Sequence, residues 1–184
     1  MAHSRTKKID SSSTGSSNER FTLRGAEPED ASVIADLTAQ AYIDGGHLPP
    51  QSPYVETLRN IAPRLRETLV LTNGEDVIAA IAALPHGHPM AEATESGEWE
   101  FRYLAVRKDH WRHGLGSHLV EAAENRARSE QAQGMVLRVV DDNPRAIRLY
   151  ERHGYTHQPH RDITFESSSS PGRMINLLHF TKAL

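Results

Sequence analysis

The pattern of apolar and polar positions begins to organise near Phe21, where Phe21 and Leu23 alternate with Thr22 and Arg24 as in a short strand. From Glu29 to Tyr42, Val33, Ile34, Leu37 and Ala41 recur at helical spacing. Gly45-Gly46 and Pro49-Pro50 then break the chain, and a second helix is expected over Tyr54 to Leu65, disturbed by Pro63. Leu69 to Thr72 reads as a strand, Asn73-Gly74 as a turn, and Val77 to Leu84 as a buried strand. Residues 85 to 97, rich in Pro, Gly and Glu, form a loop before a strand over Trp99 to Val106. A helix follows from Gly114 to about Ala132, with Leu119, Val120, Ala123 and Ala127 along one face. Met135 to Val140 is the next strand, and Asn143 to His153 a short helix closed by Gly154. A strand starts at Tyr155, Ser167 to Gly172 is a loop, and Met174 to Thr181 is the last strand. Strands and helices alternate, though not strictly, so an α/β chain with a mixed sheet and helices on its faces is expected.

Composition narrows this picture. Residues 1–19 hold six serines and few apolar groups, which reads as a flexible tail ahead of one domain over residues 20–184. The chain has 184 residues and no cysteine, so disulfides, thiolate metal ligands and an acyl-cysteine intermediate are excluded. Its formal charge of -3 gives no global basic field for nucleic acid. The longest unbroken apolar run, Val77 to Leu84, is far short of the roughly 20 residues of a membrane span. A soluble, cytoplasmic protein is the expectation. Eleven histidines raise a metal site as a candidate, but His86 and His88 lack a third ligand nearby. His110, His113 and His118 do not share a helix face, so no metal is expected.

The chemistry concentrates after Val106. A basic loop with Arg107, Lys108 and Arg112 leads to Gly114-Leu115-Gly116, which open a helix. Glycines let backbone approach a ligand closely, and the free N–H groups and dipole of a helix start favour an anion. This arrangement suits a diphosphate. A dinucleotide fingerprint would need a third glycine where Leu119 stands, and neither a Walker A triplet nor a Gly-x-Ser-x-Gly elbow occurs. A glycine-rich helix entry with surface arginines is the bland alternative.

These residues resemble the acetyl-CoA motif of the GNAT N-acetyltransferase superfamily, Arg/Gln-x-x-Gly-x-Gly/Ala after a strand. Gly114 and Gly116 match it; Trp111 stands where the family has Arg or Gln, with Arg112 one residue later. The stretch from Leu137 to Tyr155 resembles the second family block at Asn143, Ala146, Leu149, Tyr150, Gly154 and Tyr155. Asn143 is also a good N-cap before Pro144. The resemblance implies a GNAT-like fold: a central, mostly antiparallel sheet with a splayed parallel strand pair, and helices on both faces. It implies acetyl-CoA as co-substrate. Backbone at Leu104, Ala105 and Val106 would pair with pantetheine and polarise the thioester. Arg112, His113, Gly114, Leu115, Gly116 and Ser117 would hold the diphosphate, with Asn143 also facing the cofactor. It places a general base near Glu100, with Glu98 or a water relay as alternatives, and a proton donor for the leaving sulfur at Tyr150. The acceptor pocket would come from residues around 42–58 and 156–173, including Tyr42, Asp44, Tyr54, His157 and His160. Glu92, Glu95, Glu98 and Glu100 form a carboxylate cluster suited to drawing in a cationic amine. The reaction implied is direct N-acetylation of a small-molecule or peptide amine. A non-catalytic acyl-CoA-binding regulatory module is the alternative, and homodimers are common among similar proteins.

Overall fold

A computed structural model describes residues 7–10 and 20–184. Among the described residues, nine strands form one sheet. These are β1 Lys7–Asp10, β2 Arg20–Gly25, β3 Thr68–Asn73, β4 Asp76–Pro85, β5 Glu98–Val106, β6 Gly134–Val140, β7 Thr156–His157, β8 Ile163–Glu166 and β9 Met174–Ala183. The order is β1-β2-β3-β4-β5-β6-β9, and β7 and β8 share the far edge of β9. Every pairing is antiparallel except β5 with β6. β1 lies within the expected Ser-rich tail and pairs with β2; the rest of that tail falls outside the described residues.

Helices cover both faces. On one, α3 (Leu115–Ser129) and α4 (Pro144–Arg152) pack Leu119, Val120, Ala123 and Tyr150 against Ile81, Ala83, Phe101 and Leu137. Burying each large aliphatic side chain on such a face contributes roughly 1.5–3 kcal/mol. On the other, α1 (Ala31–Asp44) and α2 (Tyr54–Arg59) pack Ile34, Leu37, Val55 and Leu58 against Ala80, Ala82, Leu84 and Ala105. β4 alternates between these faces, so its unbroken apolar run is buried on both sides.

The element boundaries moved where proline and caps dictate. The helix expected over Tyr54 to Leu65 stops at Arg59, and Pro63 sits in a separate 3-10 turn, Ala62–Glu67. Pro159 begins another turn, Pro159–Arg161, which divides the strand expected after Tyr155 into β7 and β8. α3 ends at Ser129 because Gln131 turns left-handed (φ 63°) and the Ala132 amide bonds back to Ala127.

Candidate active site

The sheet opens where β5 changes its conformation. Tyr103 has φ 59°, a left-handed value that is strained for an aromatic residue, and the register between β4 and β5 shifts between Ala80 and Ala82. The bulge exchanges the faces of the strand: Phe101 packs toward α3 and α4, whereas Tyr103 and Ala105 pack toward α1 and α2. Parallel pairing of β5 with β6 runs only from Glu98–Gly134 to Glu100–Val136. Beyond it the two strands have no ladder between them. The Arg107 amide donates to the Ile78 carbonyl (2.8 Å), and Ala105 stands opposite Ala80. Strand alternation therefore turns the peptide groups of Leu104 and Val106 toward the open side. The Val106 carbonyl accepts from the Trp111 indole N–H at 2.8 Å. Trp111, where the family motif has Arg or Gln, thus closes the loop after β5.

That loop delivers the start of α3 beside the gap. Arg112 (φ 72°) and Gly114 (φ 77°) both adopt left-handed conformations, and Leu115 begins the helix. The His118 amide bonds to the Gly114 carbonyl (3.2 Å), and the amides of Leu115, Gly116 and Ser117 find no partner among the described residues. Arg112, His113 and Gly114 are exposed, while Leu115 is buried and anchors the turn. A Cβ on Gly116 would lie 3.4 Å from Leu149 and 4.0 Å from Leu104, so this glycine lets α3 approach both α4 and β5. The guanidinium of Arg145, at the start of α4, stands 4.8 Å from the Trp111 ring centre. Arg145 adds a second cation to this corner and had no signal in the sequence beyond its type. Asn143 spends its Oδ1 on the Ala146 amide (3.1 Å), capping α4.

α4 carries Tyr150 to the opening. Its ring packs on Phe101 (5.4 Å between centres) and Tyr155 (6.3 Å), and burial pushes the phenol's pKa up.

On the α1–α2 face, Glu100 is 2% exposed. Its Oε2 accepts from the amides of Glu92 (2.7 Å) and Ala93 (3.0 Å), and Arg102 stands 3.7 Å from Oε1. Burial outweighs the Arg102 charge and these amides, and raises the carboxyl pKa. Glu98 differs. Burial would raise its pKa, but the Arg161 fork (2.9 and 3.0 Å) and the Glu95 amide hold it below the usual value. Two arginines offset part of the expected carboxylate cluster: Glu92 pairs with Arg102 at 2.8 Å, and Glu95 and Glu98 with Arg161. It is therefore not a free anionic surface.

The remaining expected acceptor residues divide. Tyr42 and Tyr103 pack in one cluster under α1 and α2, the Tyr103 ring lying 4.0 Å from the Arg64 guanidinium and 5.0 Å from that of Arg102, while Tyr54 begins α2 and is exposed. His157 instead bonds Asp162 (2.9 Å) and stacks on Phe180, and His160 is exposed. Asp44 pairs weakly with Lys108 (3.9 Å) and lines a cavity of about 850 Å3 between α1 and residues 106–109. That cavity touches Val106 but holds neither the glycines nor the tyrosines. Arg64, Tyr103 and His179 were missed by sequence reasoning, because polar residues inside apolar stretches carry no periodic signal. His179 is fully buried with neither ring nitrogen partnered; burial, then Arg161 and Arg138, lower its pKa to about 4. Among the described residues no group of three or more His, Asp or Glu is set to hold a metal.

Residues 33–155 match the acetyltransferase (GNAT) family. The chain belongs to the GNAT acetyltransferase family. Its fold is shared by the ribosomal-protein-alanine N-acetyltransferase of Brucella melitensis (17% identity, TM-score 0.67, covering 88% of this chain and 99% of that one). It is shared also by yncA of Salmonella typhimurium, solved with its cofactor acetyl-CoA (19%, TM-score 0.67, 89% and 94%). An N-acetyltransferase of Staphylococcus aureus Mu50 aligns likewise (14%, TM-score 0.66, 89% and 98%). No match to the sequence was found among curated proteins. GNAT acetyltransferases use acetyl-CoA as co-substrate. The residues present fit it, with free helix-start amides for its diphosphate and an unpaired strand edge for its extended arm. No helix among the described residues is long and apolar enough to cross a membrane.

Proposed function

We propose that the protein is an N-acetyltransferase that moves the acetyl group of acetyl-CoA directly to a primary amine of a small molecule or peptide. The observation that carries this reading is the bulge at Tyr103, which ends the β5–β6 ladder beside a helix start with free amides. Acetyl-CoA, when bound, supplies the acyl group as a thioester. The amides of Leu115, Gly116 and Ser117, with Arg112, His113 and the exposed backbone of Gly114, hold its diphosphate; Asn143 shapes the adjacent helix start. Leu104 and Val106 present backbone to the pantetheine arm, whereas Ala105, expected to share this role, is paired with Ala80 of β4 because strand alternation turns its peptide groups the other way; an N–H on the open side stabilises charge developing on the carbonyl oxygen.

An alkyl amine is protonated near neutral pH and must lose a proton before its nitrogen can form the new C–N bond. Glu100 takes that proton, directly or through a water, since its raised pKa brings it nearer the working pH. Glu98, held ionised by Arg161, is the weaker base. As the C–S bond breaks, Tyr150 donates a proton or hydrogen bond to the leaving sulfur, and its raised pKa keeps it protonated for that task. With no cysteine in the chain, transfer proceeds within a ternary complex. The test follows free CoA released over a panel of amines. Amine-dependent release is expected; tight acetyl-CoA binding with no release for any amine would favour a binding module instead.

A further inference from the structure

Resting on the diphosphate cradle proposed above, we infer that Arg145 supplies the side-chain grip that the loop lacks at Trp111: its guanidinium, seated on the Trp111 ring, holds the diphosphate of acetyl-CoA from the start of α4. The motif that this loop resembles has Arg or Gln three residues before Gly114, where this chain has Trp111. An indole offers one N–H, and here it is committed, donating to the Val106 carbonyl at 2.8 Å. Trp111 therefore has no donor left for a phosphate. Its bond to the end of β5 instead fixes the ring, and the Arg145 guanidinium lies 4.8 Å from the ring centre. A cation over an indole at that distance is attracted to it.

The packing of the two helices places Arg145 beside the free amides. Leu149 is the α4 residue that closes on Gly116, where a Cβ would stand 3.4 Å from its side chain. Arg145 precedes Leu149 by one helical turn and shares its face of α4. The step from Leu149 to Arg145 runs toward the N-terminal end of α4, and helical side chains lean that way. Trp111, just before the glycines, bounds the same corner. Arg145 thus stands next to the first turn of α3, where the amides of Leu115, Gly116 and Ser117 find no partner among the described residues.

The cations around the loop differ in what answers them. Arg107 is paired with Asp109 at 2.8 Å, and Lys108 lies 3.9 Å from Asp44. Arg112 and Arg145 are exposed, and no carboxylate among the described residues lies within ion-pair distance of either. Unanswered cations beside a helix start with free amides match a diphosphate, which carries a negative charge on each phosphate. A guanidinium also meets two phosphate oxygens at once, and the indole beneath it limits the rotamer freedom lost on binding.

Calorimetry with CoA is the test, since it reads binding rather than turnover. Arg145→Ala should raise the CoA dissociation constant about tenfold, the size of one charge-assisted contact. Arg145→Lys should lie between wild type and Ala, because an ammonium keeps the charge but loses the fork. Arg152→Ala removes the same charge at the far end of α4 and should change the constant less than about twofold. Dephospho-CoA, which lacks only the ribose phosphate, should lose the same factor as CoA in Arg145→Ala; a loss confined to CoA moves Arg145 to the ribose phosphate and overturns the inference. Trp111→Ala should weaken binding several-fold alone but add little to Arg145→Ala, because the ring acts through the guanidinium. Fully additive losses would break that link and overturn the seated geometry. Binding stoichiometry reports the folded fraction in each titration, so a loosened loop is separated from a weakened contact. Unchanged CoA affinity in Arg145→Ala sinks the inference while leaving acetyl transfer intact. Failure of the wild-type protein to bind CoA would instead defeat the functional reading beneath it.

Discussion

Gly114 offers a way to separate backbone conformation from side-chain crowding in the cofactor cradle. It takes φ 77° at the cap of α3, and a Cβ built there meets no protein atom within 4 Å. Sterics within the protein thus predict no penalty for any small residue. Conformation predicts a definite order. A left-handed φ costs an L-residue roughly 1–2 kcal/mol, is most tolerable for Asn, and is worst for a β-branched side chain. Gly114→Asn should therefore lose a few tenths of a kcal/mol, Gly114→Ala about 1, and Gly114→Val about 2. If the free protein relaxes by letting the loop leave this conformation, cofactor binding must restore it. At about 1.4 kcal/mol per factor of ten, the CoA dissociation constant rises about fivefold for Ala and about thirtyfold for Val. Crowding against the bound diphosphate gives a different order, because Asn is larger than Ala. Urea unfolding for stability and calorimetry with CoA for affinity are the assays. Asn weaker than Ala in both, or Val equal to wild type, would refute the argument that the left-handed cap holds the amides in place.

Other expectations follow from the same geometry. Tyr150→Phe keeps the ring contacts with Phe101 and Tyr155, so it should lower kcat about tenfold or more while leaving acetyl-CoA affinity within a factor of two; pre-steady-state turnover equal to wild type counts against the donor role. The raised pKa of Glu100 means activity should fall as pH drops through it, and Glu100→Gln should lower kcat/KM and abolish that limb of the profile; an unchanged limb assigns the base elsewhere. The same shift means the folded state holds that proton more tightly than the unfolded chain, so stability due to Glu100 declines as pH rises through the raised value. His179 works in the opposite sense: with a folded pKa of about 4 against an ordinary 6.5, its contribution is complete above the ordinary value and is lost as pH falls toward 4, by at most about 1.4 kcal/mol per pH unit. His179→Leu should thus gain on wild type at pH 5 relative to pH 7.5 in urea titrations, and an equal difference at both pH values would disprove the linkage.

Much of the fold was legible because it rests on short-range physics. The unbroken apolar run Val77 to Leu84 reads as a buried strand, and β4 is covered on both sides. Asn143-Pro144 and Gly154 bracket α4 through a cap, a fixed φ and a left-handed exit, all decided within a few residues. Gly114 and Gly116 marked the helix start for the same reason. The disturbance at Pro63 was legible but not its form, a separate 3-10 turn; Pro159, which carried no expectation, begins another such turn, and β8 emerges after it as a separate strand.

The site beyond the glycine loop was decided by packing. Nothing local to Tyr103 demands a left-handed conformation; the register of β4 against β5 imposes it, and with it the gap. Glu98 and Glu100 at the start of β5 looked alike in sequence, yet Arg161, arriving from 63 residues beyond Glu98, keeps that carboxylate ionised while Glu100 goes under the loop with its pKa raised. Arg64 and His179 acquired their character the same way, through burial by segments distant along the chain. A sequence fixes what each turn of helix or strand prefers, because those preferences are nearest-neighbour energies. Which carboxylate is held ionised, and which is buried with its pKa raised, depends on desolvation and on partners that only the assembled sheet and helices bring together.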